Sequence, residues 1–211
     1  MYKGWVINII VLFENSKNFF YQDLYDEIIG IDEVGRGSLC GPVVSCALIL
    51  KKKIISETFV SEINDSKKLT EKRRQKLSIL LKSFSSFSIG IATSKEIDQM
   101  NILNATILSM KRSYIKFKGL PNKVKIDGNK IFHLNNKTCF LIKGDQKSIS
   151  IAAASIVAKT FRDNLMINLS KKYSKYGWEK NKGYGTKKHI EAIRTFGSTP
   201  LHRKKFISKI L

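Results

Sequence analysis

The chain has 211 residues, which is enough for one domain with a sizeable core. Hydrophobic residues make up 43% of it, a share that is typical of globular proteins and argues against disorder. Lysine and arginine number 38 against 17 acidic residues, so the net charge is +21. This charge predicts an anionic partner, either nucleic acid or an acidic membrane face, although a lysine-rich genome composition accounts for part of the excess. We favour nucleic acid.

Cysteine and histidine are too few and too scattered to indicate a zinc site or a disulfide framework. Cys40, Cys46 and Cys139 form no C-x-x-C pair, and only three histidines are present. Isolated cysteines in odd number are typical of a reducing cytosol, so we expect a cytoplasmic protein. The apolar stretch 5–13 is about half a membrane span and has no cleavage site after it. We therefore predict a variable leader over residues 1–26 and no membrane insertion.

The hydrophobic pattern predicts two strands first and then strands alternating with helices. In chain order these are strands over 28–32 and 43–50, a helix capped by Thr70, a strand over 87–92, a helix capped by Ser94 that runs to Tyr114, strands over 124–127 and 139–142, a helix over 149–169, an aromatic loop over 173–185 and a helix over 186–196. The order is typical of a mixed α/β sheet with helices on its faces. We predict one domain over 27–185, with a C-terminal helix and basic tail, 186–211, packed on it.

Acidic residues follow three of the predicted strands. Asp32 and Glu33 end the first strand, Asp127 ends the fourth, and Asp145 follows the fifth. Because sites in such sheets gather at the carboxyl ends of strands, we expect these acids to converge on one edge. Acids at the end of a buried strand need a positive partner, and a divalent metal is the usual one when the substrate is anionic. Paired divalent ions are a known means of hydrolysing phosphodiesters.

The segment GIDEVGRGSLCGP at 30–42 resembles the signature of the ribonuclease HII family, whose usual form is G-I-D-E-A-G-R-G-P-L-A-G-P. The differences are confined to Val34, Ser38 and Cys40. Similar blocks surround Asp127, in K-I-D-G-N, and Asp145, in K-G-D-Q-K-S-I-S-I-A-A-A-S-I-V-A-K-T-F-R-D. The resemblance extends over nearly the whole chain after the leader.

This resemblance implies a ribonuclease-H-like fold and a metal-dependent endonuclease. Such an enzyme cuts the RNA strand of RNA/DNA hybrids and nicks duplex DNA 5′ to a single embedded ribonucleotide, leaving 3′-hydroxyl and 5′-phosphate ends. The residues that match the family's catalytic metal ligands, for Mg2+ or Mn2+, are Asp32, Glu33, Asp127 and Asp145. We expect a monomer.

The resemblance also implies a set of substrate contacts. A glycine turn and the tyrosine of an N-K-G-Y-G-T block would recognise a ribonucleotide followed by a deoxynucleotide, and these residues are Gly35, Arg36, Gly37 and Tyr184. The candidates for phosphate binding are Ser66 and Lys67, which lie in a D-S-K-K-L loop, and Lys147, which lies two residues after Asp145. Asp163 is expected to pair with a basic residue, and His202 to pack under the last helix.

Two other functions stay open on sequence alone. The charge is compatible with a non-catalytic nucleic-acid-binding protein, whose binding depends on salt but not on metal. A different nuclease on the same scaffold, such as a junction resolvase, is the second alternative. Only a resolvase is expected to cut a four-way DNA junction that contains no RNA.

Overall fold

The computed structural model describes residues 20–120, 122–129, 132–208 and 210. Most of the predicted leader, including the apolar stretch 5–13, lies outside these residues. The strands are β1 (Ile29–Val34), β2 (Val43–Leu50), β3 (Ser85–Ala92), β4 (Val124–Asp127) and β5 (Thr138–Leu141). The α-helices are α1 (Asp23–Asp26), α2 (Glu71–Ser83), α3 (Ser94–Tyr114), α4 (Ile149–Lys172), α5 (Trp178–Asn181), α6 (Lys187–Phe196) and α7 (Lys204–Ile207).

The strands form one mixed sheet in the order β3-β2-β1-β4-β5. β2 is antiparallel to both β1 and β3, whereas β4 is parallel to both β1 and β5. This confirms the predicted mixed α/β sheet. The parallel register pairs Ile31 with Ile126, so Asp32 and Asp127 follow at the same end of adjacent strands.

Alternation along the strands separates two helical layers. Ile29 and Ile31 of β1 face α3, where they pack with Met110 and other apolar residues. Gly30 faces α4, and a Cβ there would lie 2.1 Å from the backbone carbon of Ser150. Because only glycine permits this approach, α4 crosses β1 in direct backbone contact. The same face of β1 carries Asp32, so α4 passes beside the acids.

Two local predictions require correction. The N-cap of α3 is Thr93, not Ser94: Thr93 accepts the Glu96 amide and Glu96 accepts the Thr93 amide at 2.8 Å. Glu96, three residues after Thr93, completes a capping box, and this spacing favours Thr93 over Ser94 as the N-cap. Ser94 donates instead to the Leu201 carbonyl at 2.7 Å. The predicted loop 173–185 contains α5 and a short 3-10 helix, Ser174–Tyr176.

The C-terminal segment packs against the start of the glycine-rich region. Ile193 of α6 and Ile207 of α7 share a core cluster with Cys40 and with Met166 of α4. The division into a catalytic domain and a C-terminal extension stays a prediction. None of the helices that the structure describes is both long enough and apolar enough to cross a bilayer.

Candidate active site

The four predicted acids come together at one end of the sheet. Asp32 and Glu33 lie in β1, Asp127 ends β4, and Asp145 lies in the 3-10 helix Gly144–Gln146 that follows β5. All four line a single cavity of 390 Å³. Three distant parts of the chain therefore supply carboxylates to one space.

Hydrogen bonds fix two of these carboxylates. The Asp127 Oδ1 accepts the Gly144 N–H at 2.6 Å, which ties the end of β4 to the turn that carries Asp145. Asp32 accepts its neighbour's amide at 2.7 Å and a hydrogen bond from the Ser155 hydroxyl of α4. Ser155 in turn lies 2.9 Å from the hydroxyl of Ser66. The acids are thus held by both the sheet and the helix behind it.

The electrostatic environment disfavours the charged form of Asp32, Glu33 and Asp145. Burial raises the pKa of Asp32 well above its usual range, and the charges of Glu33 and Asp127 raise it further. Burial also raises the pKa of Glu33. The pKa of Asp145 is raised by burial and then by the charges of Asp65 and Asp127. A cation placed among these side chains would reverse these shifts, because it favours the ionised carboxylates.

Basic and hydroxyl groups also line this cavity. They are Ser66, Lys67, Ser155, Lys159 and Tyr184. The predicted contacts Ser66, Lys67 and Tyr184 are therefore brought next to the acids. Lys147 is not: it lines a separate cavity of 650 Å³ together with Lys123 and Lys125.

The glycine turn lies beside this cavity and does not line it. Gly35 has a positive φ of +92°, and a Cβ there would lie 2.2 Å from the Nε of Arg162. Its bare face is thus occupied by a side chain of the protein. Gly37 is exposed, and a Cβ there would meet nothing within 4 Å. Between them, the Arg36 guanidinium donates to the Glu33 carboxylate at 3.3 Å.

A model of the ribonuclease HII family matches residues 29–209. The chain belongs to the ribonuclease HII family. A ribonuclease HII of Caldanaerobacter subterraneus subsp. tengcongensis is 46% identical over 99% of this chain and 87% of the relative. A ribonuclease HII of Fusobacterium nucleatum subsp. nucleatum is 50% identical over 92% of this chain and 91% of the relative.

Solved structures agree with this assignment. The crystal structure of ribonuclease H2 from Pyrococcus horikoshii OT3 is 26% identical, with a TM-score of 0.67 over 87% of this chain and 96% of that one. The ribonuclease-H-like fold is thereby confirmed. Members of the ribonuclease HII family are metal-dependent endonucleases that cleave RNA in RNA/DNA hybrids and at ribonucleotides in DNA. The chain is an endoribonuclease of this class.

The acids suit the metal dependence of the ribonuclease HII family. Oxygen donors alone, without cysteine or histidine, are the ligands that Mg2+ and Mn2+ prefer. Within the described residues, no three acidic, histidine or cysteine side chains form a ready-made metal cage. Glu33 has Arg36 as a partner, and Asp127 has the Gly144 amide. An open set of this kind still fits Mg2+, because this ion keeps several positions for water and phosphate oxygens.

Sequence reasoning missed two buried arginines beside the turn. Arg162 of α4 and Arg203 of the C-terminal segment are both 0% exposed. Arg162 donates to the carbonyls at positions 40, 42 and 182 and to the Ser38 hydroxyl. Its guanidinium also lies 5.4 Å from the ring centre of Tyr184. Both arginines lie within the residues that the ribonuclease HII family model matches, but nothing in a linear pattern indicates that they are buried.

The remaining candidates have structural partners. Asp163 pairs with Lys159 at 2.8 Å and with Arg74 at 3.4 Å, and it does not line the acid cavity. His202 is 2% exposed and packs edge-on against the rings of Tyr176 and Trp178.

Proposed function

We propose that this chain uses Asp32, Glu33, Asp127 and Asp145 to hold two Mg2+ or Mn2+ ions. With them it hydrolyses the phosphodiester 5′ to a ribonucleotide, in RNA/DNA hybrids and at single ribonucleotides in duplex DNA. The observation that carries this proposal is the shared cavity, in which carboxylates from three remote segments face one space. Bound divalent ions would neutralise the phosphate and activate the attacking water. Because water attacks and the 2′-hydroxyl does not, the products carry 3′-hydroxyl and 5′-phosphate ends.

The basic and hydroxyl side chains that line the cavity suit the phosphate groups on either side of the cleaved bond. Lys67 and the Ser66 hydroxyl lie in the loop before α2, and Lys159 projects from α4. A lysine ammonium contributes a compact positive charge to a phosphate, and a hydroxyl contributes a neutral hydrogen bond. These groups would orient the scissile phosphate against the acids.

The ribose would be recognised by the glycine turn and by Tyr184. The exposed amides of Arg36 and Gly37 offer hydrogen-bond donors to a 2′-hydroxyl. Tyr184 lines the cavity beside them, and its ring has Lys159 and Arg162 near its face. An aromatic ring at this place would stack on the next deoxyribose, where a 2′-hydroxyl would crowd it.

A cleavage assay tests the proposal. The substrate is an end-labelled DNA duplex with one ribonucleotide, incubated with and without Mg2+, and the ends of the products are mapped. We expect a single nick 5′ to the ribonucleotide that requires metal. Asp127→Asn should abolish it, whereas Asp26→Asn, at an exposed acid of α1, should not.

Three outcomes would contradict the proposal. They are no cleavage by the wild type, full activity of Asp127→Asn, and cutting of an RNA-free four-way junction. The second would favour a site elsewhere, and the third would favour a resolvase.

We also propose a monomer that acts in the cytoplasm with Mg2+ or Mn2+ as its metal. The three cysteines are all free thiols, which supports a reducing compartment. Light scattering in solution tests the monomer, and comparison of Mg2+ with Mn2+ in the cleavage assay tests the metal.

A further inference from the structure

The proposed function assigns ribose recognition to the glycine turn, 35–37, and to Tyr184. Two adjacent residues of the C-terminal segment contact these two elements, the turn and the loop around Tyr184 (the Tyr184 loop). Arg203 reaches the glycine turn, and His202 reaches the Tyr184 loop through His189. Neither residue lines the acid cavity.

Arg203 anchors the turn through its backbone. Its guanidinium donates to the carbonyls of Gly35 and Arg36, each at 2.7 Å, and to the carbonyl of Gly41 at 3.0 and 2.8 Å. Each of the first two carbonyls shares a peptide unit with the next amide, so Arg203 also fixes the N–H groups of Arg36 and Gly37. Those two amides have no acceptor among the residues that the structure describes.

The contact also polarises the turn. A carbonyl that accepts from a cation makes the N–H of its own peptide unit a stronger donor, since hydrogen bonds in a chain reinforce one another. Within the described residues, Arg203 has no carboxylate partner at ion-pair distance. Burial of such an unpaired cation is unfavourable, and burial lowers the pKa of Arg203 to about 9.

A chain of histidines anchors the Tyr184 loop. His202 Nδ1 accepts the Thr199 amide at 2.9 Å, so its Nε2 carries the proton and donates to His189 Nε2 at 3.2 Å. His189 Nδ1 then donates to the Tyr184 carbonyl at 2.9 Å. Trp178 Nε1 donates to the same His189 Nε2 at 3.0 Å. The tautomers of both histidines are thereby defined.

We propose that Arg203 and His202 are positioning residues that set the preference for a ribonucleotide followed by a deoxynucleotide. This inference rests on the proposed function. The β1–β4 register, and not the turn, places Asp32 beside Asp127, so loosening the C-terminal anchor would alter substrate choice and not metal binding. A long hybrid has a 2′-hydroxyl on the next sugar and gains nothing from Tyr184, so loosening the Tyr184 loop through His202 would affect it less. Loosening the turn through Arg203 would affect both substrates, because both present a ribose 2′-hydroxyl to the turn.

The test compares Arg203→Lys with Arg194→Lys. Lysine keeps the charge but cannot hold several carbonyls in one plane. Arg194 is an exposed arginine of α6 that donates to the Ile210 carbonyl at 3.2 Å, and it serves as the matched control. For each protein, kcat and KM are measured on a duplex with one ribonucleotide and on a long RNA/DNA hybrid. Mn2+ binding is measured by calorimetry without nucleic acid, and unfolding is followed by circular dichroism.

We expect Arg203→Lys to lower kcat/KM by about 10- to 100-fold on both substrates, because both present a ribose 2′-hydroxyl to the turn. We expect His202→Gln to lower the ratio of kcat/KM on the single ribonucleotide to kcat/KM on the hybrid by about tenfold, whereas His133→Gln, at an exposed histidine, should keep the wild-type ratio. Mn2+ affinity should stay equal to that of the wild type in every variant, and Arg194→Lys should keep the wild-type kinetics.

Unchanged kcat/KM in Arg203→Lys, or an unchanged ratio in His202→Gln, would overturn the inference. So would loss of Mn2+ affinity or of the unfolding transition, since either means a purely structural role. A wild type inactive on both substrates would instead overturn the proposed function itself.

Discussion

The acids and the glycine turn beside the cavity form two ends of the site, and they are held in place by different means. At one end, backbone pairing places the acids: the register of β1 with β4 puts Asp32 beside Asp127. At the other end, the glycine turn belongs to no strand: Arg203 holds the carbonyls of Gly35 and Arg36, and Arg162 holds carbonyls of the segment that follows, at positions 40 and 42. A sheet can position the side chains of its own strands without further help. A turn of glycines has no side chains to pack, so its position depends on groups donated from elsewhere.

The two ends also have opposite electrostatic character. Crowding and burial raise the pKa of Asp32, whereas burial lowers the pKa of Arg162 and of Arg203. The acids at one end and the arginines at the other are therefore groups of like charge whose ionised form is disfavoured by burial. Bound cations would relieve the acid end, whereas at the other end the buried arginines already donate to backbone carbonyls. This contrast suggests that stability and activity respond differently to changes at the two ends.

The largest expected effect is at the acid end. Asp32→Asn should lower kcat by at least about 1,000-fold, because a metal ligand is lost. The same change should raise the free energy of unfolding by about 1 kcal/mol, since it removes one of several mutually repelling carboxylates. Cleavage assays and denaturation in urea measure the two effects.

Asp26→Asn is the matched control for this change, because Asp26 is an exposed acid that does not line the acid cavity. Asp26→Asn should change neither kcat nor the free energy of unfolding. A loss of stability in Asp32→Asn would argue that the hydrogen bonds from Ser155 and the Glu33 amide outweigh the repulsion.

Glycine-to-alanine changes compare the two means of positioning directly. Gly30→Ala should lower the free energy of unfolding by about 3 kcal/mol or more, because the new Cβ meets the backbone of α4 at 2.1 Å. Gly35→Ala should cost about 2 kcal/mol, since its φ is positive and the new Cβ meets the Arg162 side chain. Chemical denaturation of each variant gives these values.

Gly37→Ala supplies the control for both, because its Cβ would lie in open space. It should change stability by less than about 0.5 kcal/mol. If Gly30→Ala were as stable as Gly37→Ala, the close contact between β1 and α4 would be wrong.

The acid end was largely predictable from the sequence, and the other end was not. Asp32 and Asp127 follow recognisable strands, and the rule about carboxyl ends of strands brings them together. Arg203 is visible as part of a family block, but its targets are carbonyls more than 160 residues away. Their position depends on the packing of the whole C-terminal segment. Sequence distance also misleads locally, since Lys147 is two residues from Asp145 yet lines another cavity.

Acid pH offers a way to weaken the anchor of the Tyr184 loop. Burial and then the neighbouring His189 lower the pKa of His202 to about 4, against about 6.5 in an unfolded chain. Between these values the unfolded chain binds more protons, so stability is present above pH 6.5 and is lost as the pH falls towards 4. From pH 7 to pH 5, the stability advantage of the wild type over His202→Gln should shrink by about 2 kcal/mol.

Denaturation of both proteins at the two pH values measures this change. His133→Gln is the control, because it makes the same substitution at an exposed histidine. A constant gap between the wild type and His202→Gln would mean that His202 is not held neutral by the fold.

The smallest expected effect is a difference between Lys67 and Lys147, which the sequence analysis predicts to have the same role in phosphate binding. Lys67 lines the acid cavity, and its charge opposes the rise in the pKa of Asp145, whereas Lys147 lines the cavity with Lys123 and Lys125. Lys67→Ala should lower kcat/KM by about tenfold and reduce the slope of log(kcat/KM) against log[salt] by about 1, as expected for one lost phosphate contact. Lys147→Ala should change kcat/KM by less than about threefold. Equal losses in the two variants would mean that the substrate also covers the second cavity, and the basic surface next to β5 would then belong to the binding site.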